Sequence, residues 1–141
     1  MRSAIDTNVI SEIWSAQARH EEAKSLVSEA MDRGAVVICG IVYAELLAHP
    51  IMDPETTEAF LREANIEVDS AMDRTIWREA GLLYRAHSER RRRAKADAHR
   101  RRMADFVIGA HALLRADRLI TFNGSDFRRD FPELRIAPEP S

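Results

Sequence analysis

The sequence is poor in the residues that build disulfide-rich, zinc-stapled or loop-rich proteins. Its 141 residues include one cysteine, five glycines and five prolines, and only 6% are aromatic. The single cysteine, Cys39, excludes an intramolecular disulfide and a cysteine-clustered zinc site. It follows the apolar run Val36–Ile38, so we expect a small buried hydrophobic residue in a reduced cytoplasm.

Long hydrophobic runs are also missing. The longest uncharged segment, Gly34–Ala44, has 11 residues, whereas a membrane-spanning helix needs roughly 18. A carboxylate, Asp6, comes before any apolar region can form, so we expect no signal peptide. The overall composition, 45% hydrophobic and 31% charged, is that of an ordinary globular protein. We therefore predict one cytoplasmic domain over residues 1–141 and exclude secreted, membrane and disordered proteins.

The net charge of −2 is unevenly distributed. Residues 85–102 carry nine basic and two acidic side chains, a local charge of +7, which leaves −9 for the other 123 residues. A basic segment on an acidic body is typical of a polyanion-binding surface, but also of a solvated helix face. Both interpretations of the basic segment stay open. The arginines considered as contacts to nucleic acid or a partner are Arg90, Arg91, Arg92, Arg93, Arg100, Arg101 and Arg102.

Short apolar runs alternate with helical patterns along the whole chain. This alternation predicts an α/β fold with a central, mainly parallel sheet of about five strands flanked by helices on both faces. In such sheets the ligand site lies at the carboxyl ends of the strands. The predicted strands are 3–6, 35–39, 66–68, 119–122 and 134–137. The predicted helices are 8–14, 20–33, 41–49, 53–65, a long one from about residue 70, and 103–116.

Two local signals refine these boundaries. Ser70, with Asp73 three residues later, resembles a capping box that opens the long helix. Asn123-Gly124-Ser125 reads as a turn after the fourth strand.

Four carboxylates occupy unusual positions in this pattern. Asp6 ends the first strand, Asp126 follows the fourth, and Glu45 and Asp105 are isolated charges in apolar helical segments. An ionised carboxylate in apolar surroundings costs several kcal/mol or more, so it protonates, pairs or binds a metal. Each also has a structural explanation. Asp6 would cap a helix, Asp126 would form an Asx-turn, and Glu45 and Asp105 would pair with buried arginines.

Taken together, the four acids favour a shared site. Two follow strands and two lie near the starts of helices that would pack on the same sheet, so all four would converge at one edge. A cluster of carboxylates needs a counter-ion, and ligands that offer only oxygen select Mg²⁺ or Mn²⁺. Magnesium retains several waters, which leaves room for phosphate oxygens and an attacking water.

The ordered set of segments around these acids resembles the PIN-domain nucleases. The segments are Ile-Asp-Thr-Asn-Val-Ile from residue 5, a helical Glu45, Asp-Phe-Val-Ile-Gly-Ala-His-Ala from residue 105, and Thr-Phe-Asn-Gly-Ser-Asp-Phe from residue 121. More narrowly, the chain is similar to the VapC-type ribonuclease toxins of bacterial type II toxin–antitoxin pairs. The similarity in order and spacing covers essentially the whole chain.

This resemblance implies roles for particular residues. Asp6, Glu45 and Asp105 take the metal-ligand positions. Asp126 takes the fourth acidic position, which contributes to a second metal or orients water. The positions that shape the pocket by hydrogen bonding are Thr7, Asn8, Thr121 and Asn123.

The resemblance also implies an activity and partners. It indicates a Mg²⁺-dependent endoribonuclease, with Mn²⁺ as a substitute, in which metal-activated water attacks the phosphodiester of single-stranded or looped RNA. It further implies a homodimer and a VapB-type antitoxin that blocks the site, forms a hetero-oligomer and alone brings the pair to promoter DNA. Two alternatives remain: another metal-dependent nuclease of PIN or flap type, or a non-catalytic module that binds nucleic acid through its arginines.

The chain departs from the family pattern in two places. The segment before the third acid, Arg90–Arg102, is longer and richer in arginine than the short glycine-containing loop of many relatives. Gly109-Ala110 replaces the usual Ala-Ala in the helix that follows. The five histidines lack metal-ligand spacing. His111 lies about 240° around the helix from Asp105, so we expect a polar core or surface residue there.

Overall fold

The structure is a computed structural model and describes residues 1–94 and 101–140. It contains a five-stranded, wholly parallel sheet in the order β3-β2-β1-β4-β5. The strands are β1 (Ser3–Ile5), β2 (Val36–Cys39), β3 (Ile66–Asp69), β4 (Arg118–Ile120) and β5 (Ile136–Ala137). The predicted α/β fold with a parallel sheet of about five strands is therefore confirmed.

Helices make the connections between successive strands. In the described ranges they are α1 (Thr7–Ser15), α2 (His20–Arg33), α3 (Gly40–Leu47), α4 (Pro54–Glu63), α5 (Arg74–Arg93), α6 (Met103–Arg115) and α7 (Gly124–Asp130). All residues of β1, β2 and β4 are buried. Because successive side chains of a strand point to opposite faces, this burial means that both faces of the sheet are covered. None of the helices described is long and apolar enough to cross a membrane.

The strand order changes direction between β1 and β4. The chain moves from β1 through β2 to β3, then crosses back to β4 and β5 on the other side of β1. Right-handed crossovers that run in opposite directions place their helices on opposite faces of the sheet. Ligands of such sheets bind where the order reverses, at the carboxyl ends of the strands. Here that point lies between the ends of β1 and β4.

Two sequence-based assignments need correction. The long helix α5 is capped by Asp73, whose Oδ1 accepts a hydrogen bond from the Ile76 amide at 3.1 Å, and not by Ser70. The segment after β4 was expected to be a turn, yet it forms α7. The turn chemistry of Asn123-Gly124-Ser125 only begins this helix, which is held by the burial of Phe127.

Two expectations about single residues are confirmed. Cys39 is a buried free thiol. His111 is a polar core residue, with its Nε2 3.0 Å from Oδ2 of Asp69.

Gly109 is required by the packing of α6 against the segment after α7. A Cβ at this position would lie 2.3 Å from Cε2 of Phe131, a buried ring that packs against Phe106 and Phe127. We expect Gly109→Ala to destabilise the fold by about 1 to 3 kcal/mol, as overpacking does in well-packed cores. Gly81→Ala is the matched control, because it lies in α5 with no atom within 4 Å of the added Cβ. It should stabilise by about 0.8 to 1 kcal/mol, and chemical denaturation measures both. Equal effects would mean that the contact with Phe131 imposes no strain.

Candidate active site

Asp6 lies at the carboxyl end of β1 and caps α1. Its Oδ1 accepts a hydrogen bond from the Thr7 amide at 2.7 Å, and its Oδ2 accepts one from Thr121 Oγ1 at 2.8 Å. The Asp6 amide donates to the Ile120 carbonyl of β4 at 2.9 Å. The carboxylate therefore sits at the reversal of strand order, held from both strands.

Glu45 comes from α3 and reaches the same place through Thr7. The Thr7 hydroxyl donates a hydrogen bond to Glu45 Oε1 at 2.7 Å. Thr7 thus holds two carboxylates at once, Asp6 through its amide and Glu45 through its side chain. Beside it, Asn8 Oδ1 accepts a hydrogen bond from the Phe122 amide at 3.2 Å, which ties α1 to the segment after β4.

Asp105 lies in the first turn of α6 and is largely buried. Its Oδ2 is 3.4 Å from Arg101 Nε, and its Oδ1 is 3.6 Å from Arg102 Nη2. The structural explanation given above for Asp105, a pair with a buried arginine, is therefore realised. Asp105 nevertheless lines the same cleft as Asp6, and its charge acts on the Asp6 carboxylate.

These three acids share one cleft of about 410 Å³, but the fourth does not line it. The cleft is lined by Asp6, Thr7, Asn8, Ser11, Glu45, Arg101, Arg102, Asp105 and Asn123. Asp126 instead lies in α7, with Oδ2 3.9 Å from Arg101 Nε and Oδ1 3.2 Å from Arg129 Nη2. Thr121 is buried beneath the cleft, where it donates to Asp6 and accepts from the Asn123 amide at 3.0 Å.

The proximity of the acids appears in the protonation of Asp6. Burial, with the charges of Asp105 and Glu45 adding to it, raises the pKa of Asp6 from 3.8 to about 6. The hydrogen bonds from Thr121 and Thr7 work in the opposite direction and do not cancel this effect. The surroundings of Asp6 thus provide too little positive charge to stabilise its ionised form.

The arginines singled out from the sequence have different environments. Arg102 lines the cleft and is exposed, with its Nη1 3.8 Å from Glu45 Oε2. Arg101 is only 2% exposed and pairs with carboxylates, so it differs from the expected surface contact. Its burial follows from the acids of α6 and α7 around it. Arg90 pairs with Asp130 at 3.0 Å. Arg91, Arg92 and Arg93 end α5, and Arg100 lies outside the described residues.

The chemistry of the cleft suits a hard divalent cation. In the described ranges, no three His, Cys, Asp or Glu side chains already stand at a spacing that would hold one metal ion. The donors facing the cleft are nevertheless three carboxylates from separate elements, and the charges of two of them raise the pKa of the third. A divalent cation would relieve that repulsion, and oxygen ligands favour Mg²⁺ or Mn²⁺. The residues present fit such an ion.

Sequence reasoning missed two residues near the cleft. Ser11 lines it one helical turn after Thr7, an i, i+4 spacing on α1 that could have identified it. Asp130 is fully buried at the end of α7 and contacts Arg90, Arg101 and Arg129. No sequence signal marks it, because it stands in an ordinary Arg-Arg-Asp-Phe segment.

Comparison with known proteins gives one family and several similar structures. A model of the PIN domain matches residues 4–130. No curated protein matches the sequence. Among solved structures, VapBC-1 from nontypeable Haemophilus influenzae is similar with a TM-score of 0.67 and 21% identity over 96% of each chain.

Two further structures show the same fold similarity. VapBC2 from Rickettsia felis, bound to a DNA fragment from its promoter, gives a TM-score of 0.59 at 21% identity, over 96% of this chain and 97% of that one. DNA-bound VapBC from Salmonella typhimurium gives 0.58 at 24% identity over 96% of each chain.

Proposed function

This chain belongs to the PIN domain family, whose members are nucleases, and we propose that it is a divalent-metal-dependent endoribonuclease toxin of the VapC type. The proposal specifies Mg²⁺ as the ion, with Mn²⁺ as a substitute, and single-stranded or looped RNA as the substrate. The main observation in support is that Asp6, Glu45 and Asp105 line one cleft, at the point where the strand order reverses.

The chain's own residues would hold and orient the ion's ligands. Asp6, Glu45 and Asp105 are the ligands we propose, and Asp126 would support them from α7. Thr7 fixes Asp6 relative to Glu45, and Thr121 fixes the second oxygen of Asp6. These bonds keep the carboxylates pre-oriented, which limits reorganisation during reaction. A bound divalent cation would supply Lewis-acid activation of water and neutralise charge developing on the phosphoryl oxygens.

We also propose a VapB-type antitoxin as partner, together with a homodimer of this chain in the cytoplasm. Support comes from the three similar structures, which are named as VapBC assemblies, two of them with DNA. Promoter DNA would be bound only through the antitoxin. Co-expression with the product of an adjacent small reading frame, followed by size-exclusion chromatography with light scattering, tests the complex.

A substrate panel distinguishes this function from the alternatives. Purified, antitoxin-free protein with Mg²⁺ should cleave single-stranded or looped RNA and leave 5′-phosphate and 3′-hydroxyl ends. It should cleave single-stranded DNA, duplex DNA and flap DNA much more slowly. Preferred cleavage of flap DNA would instead identify a different nuclease on this fold. Binding without cleavage of any member of the panel would favour the non-catalytic module.

Arg92 and Arg93 are the best test of the basic segment. Both are exposed at the end of α5, whereas Arg90 is committed to Asp130. Replacing both with Gln should weaken RNA binding. It should also reduce the slope of log affinity against log salt by about 1 to 1.5, because each phosphate contact on a single strand contributes about 0.7.

The control for these changes is Arg62→Gln, an exposed arginine on α4. Its salt slope should equal that of the wild type when fluorescence anisotropy is measured over a range of salt concentrations. An unchanged slope in the Arg92→Gln/Arg93→Gln protein would indicate that this segment is a solvated helix face and does not contact RNA.

A further inference from the structure

Arg101 is a buried cation inside a cluster of carboxylates, and the mechanism above leaves it without a role. It is 2% exposed, yet it lines the same cleft as Asp6, Glu45 and Asp105. A buried guanidinium next to proposed metal ligands opposes the binding of a cation, since like charges repel. Its presence there therefore needs an explanation other than support of the metal ligands.

The position of Arg101 is fixed from outside the cleft. Its Nη1 pairs with Oδ2 of Asp130, whose side chain is fully buried. The main-chain amide of Arg101 donates to Nε2 of His87 at 3.3 Å. The guanidinium also lies over the Phe127 ring, with Cζ 4.9 Å from the centroid. Asp130 and these neighbours hold the side chain without using the whole guanidinium.

One nitrogen of this guanidinium has no acceptor among the described residues. Nε faces Asp105 and Asp126, and Nη1 faces Asp130. Nη2 is buried and makes no hydrogen bond with any residue that the structure describes. A buried donor left unpaired carries an uncompensated desolvation cost, so a ligand oxygen that reaches this N–H after a small displacement of the side chain would recover that cost. The strongest acceptors for guanidinium are anionic oxygens, as in carboxylates and phosphates.

The charges of the cluster match a singly charged anion, such as a phosphodiester. In the described residues the cluster has five carboxylates and four guanidiniums, a formal charge of −1. Its members are Asp6, Glu45, Asp105, Asp126, Asp130, Arg90, Arg101, Arg102 and Arg129. A divalent cation would change this charge to +1, and a phosphodiester carries −1. The cluster with metal and one phosphodiester is then neutral.

We propose that Arg101 is a catalytic residue, whose Nη2 donates a hydrogen bond to a non-bridging oxygen of the scissile phosphate while Nη1 remains on Asp130. This role rests on the proposed ribonuclease function and extends it. Charge builds up on the phosphoryl oxygens as water attacks, and a fixed cationic donor in a water-poor site stabilises that charge. Arg102, exposed at the mouth of the cleft, has no anchor comparable to Asp130 among the described residues, so it is less suited to this role.

The test is sulfur substitution at the scissile phosphate, one diastereomer at a time, after the cleavage position has been mapped with wild-type protein. Single-turnover cleavage rates are measured with Mg²⁺ and with Mn²⁺ for wild type and Arg101→Gln. In wild type, one diastereomer should be cleaved about tenfold slower than the all-oxygen RNA with either metal, because sulfur is a poor acceptor for Nη2. Arg101→Gln should lose about 10²-fold in rate on the all-oxygen RNA. On that diastereomer it should show no additional loss.

The control is Arg129→Gln, which also removes a guanidinium from Asp126 and Asp130 but does not line the cleft. Its sulfur effects should equal those of wild type, whatever its all-oxygen rate. If Arg101→Gln keeps the wild-type sulfur effects, Arg101 acts only through the positions of its neighbours, and the proposal is overturned. If wild type cleaves no RNA with either metal, the ribonuclease function and the role of Arg101 fail together.

Thermal melting shows whether Arg101→Gln folds. If it does not, a second variant, Arg101→Lys, tests the same proposal. Arg101→Lys keeps a cation near Asp130 but has one nitrogen in place of the planar fork, so it cannot occupy the positions of Nη1 and Nη2 at the same time. It should likewise lack the sulfur effect of the one diastereomer. A lysine variant that retains this effect in full would also overturn the proposal.

Discussion

The Asp6→Asn protein is expected to cleave RNA about 10²- to 10³-fold more slowly than wild type. The substitution keeps the size of the side chain but removes one charged ligand of the cation that stabilises the transition-state charge, and such charge-stabilising contacts are worth about 3 to 4 kcal/mol. Expression without the antitoxin should arrest growth for wild type and not for Asp6→Asn. Initial rates on one RNA at saturating Mg²⁺ measure the first effect, and colony counts measure the second.

The control for this prediction is Asp32→Asn, an exposed acid on α2. It should match wild type in cleavage rate and in growth arrest. An Asp6→Asn protein that is as active and as toxic as wild type would separate both properties from the cleft.

Metal-free stability should change in opposite directions for two of the acids. Asp6 is buried, and the charges of Asp105 and Glu45 face it, so its ionised form destabilises the folded protein. Asp6→Asn should therefore raise the free energy of unfolding in chelator by about 1 to 3 kcal/mol at pH 8, by the relation of about 1.4 kcal/mol per pKa unit. Asp105→Asn should lower it by about 1 to 3 kcal/mol, because the buried Arg101 loses a charged partner.

The pH dependence of the free energy of unfolding tests the direction of the Asp6→Asn effect independently. Because the pKa of Asp6 is raised to about 6 in the folded protein, the folded state binds more protons than the unfolded state between about pH 4 and 6. The contribution of Asp6 is thus most favourable at low pH and is lost as the pH rises through about 6. The gain from Asp6→Asn should be about 2 kcal/mol larger at pH 8 than at pH 4.5. Urea denaturation in chelator at both values measures it, and an equal gain at both would show that Asp6 titrates normally.

The sheet and most helices follow from local patterns. The buried runs at Val36–Cys39 and Leu119–Ile120 are local signals, and each identifies its own strand correctly. Helix α7 was missed because its seven residues contain little periodicity, and its stability comes from burying Phe127 against the core. A short element held by tertiary contacts has no local signature.

The candidate site was predictable only in part, for a related reason. Asp6, Glu45 and Asp105 stand out because each is a lone charge in an apolar segment. Arg101 does not stand out, since one arginine among many in a basic segment looks the same whether it is exposed or buried. Its burial depends on Asp130, 29 residues further along the chain, and on the placement of α7 that brings Asp130 to it.

The most direct measurement is RNA cleavage by purified wild-type protein as a function of divalent metal, with Asp6→Asn prepared identically to exclude a contaminating nuclease. The protein is stripped with chelator, dialysed, and assayed on one RNA with no metal, Mg²⁺, Mn²⁺ or Mg²⁺ plus excess chelator. We expect cleavage only with free Mg²⁺ or Mn²⁺, and its loss in Asp6→Asn under every condition. Wild-type cleavage that persists after complete removal of metal would contradict a metal-dependent site formed by Asp6, Glu45 and Asp105.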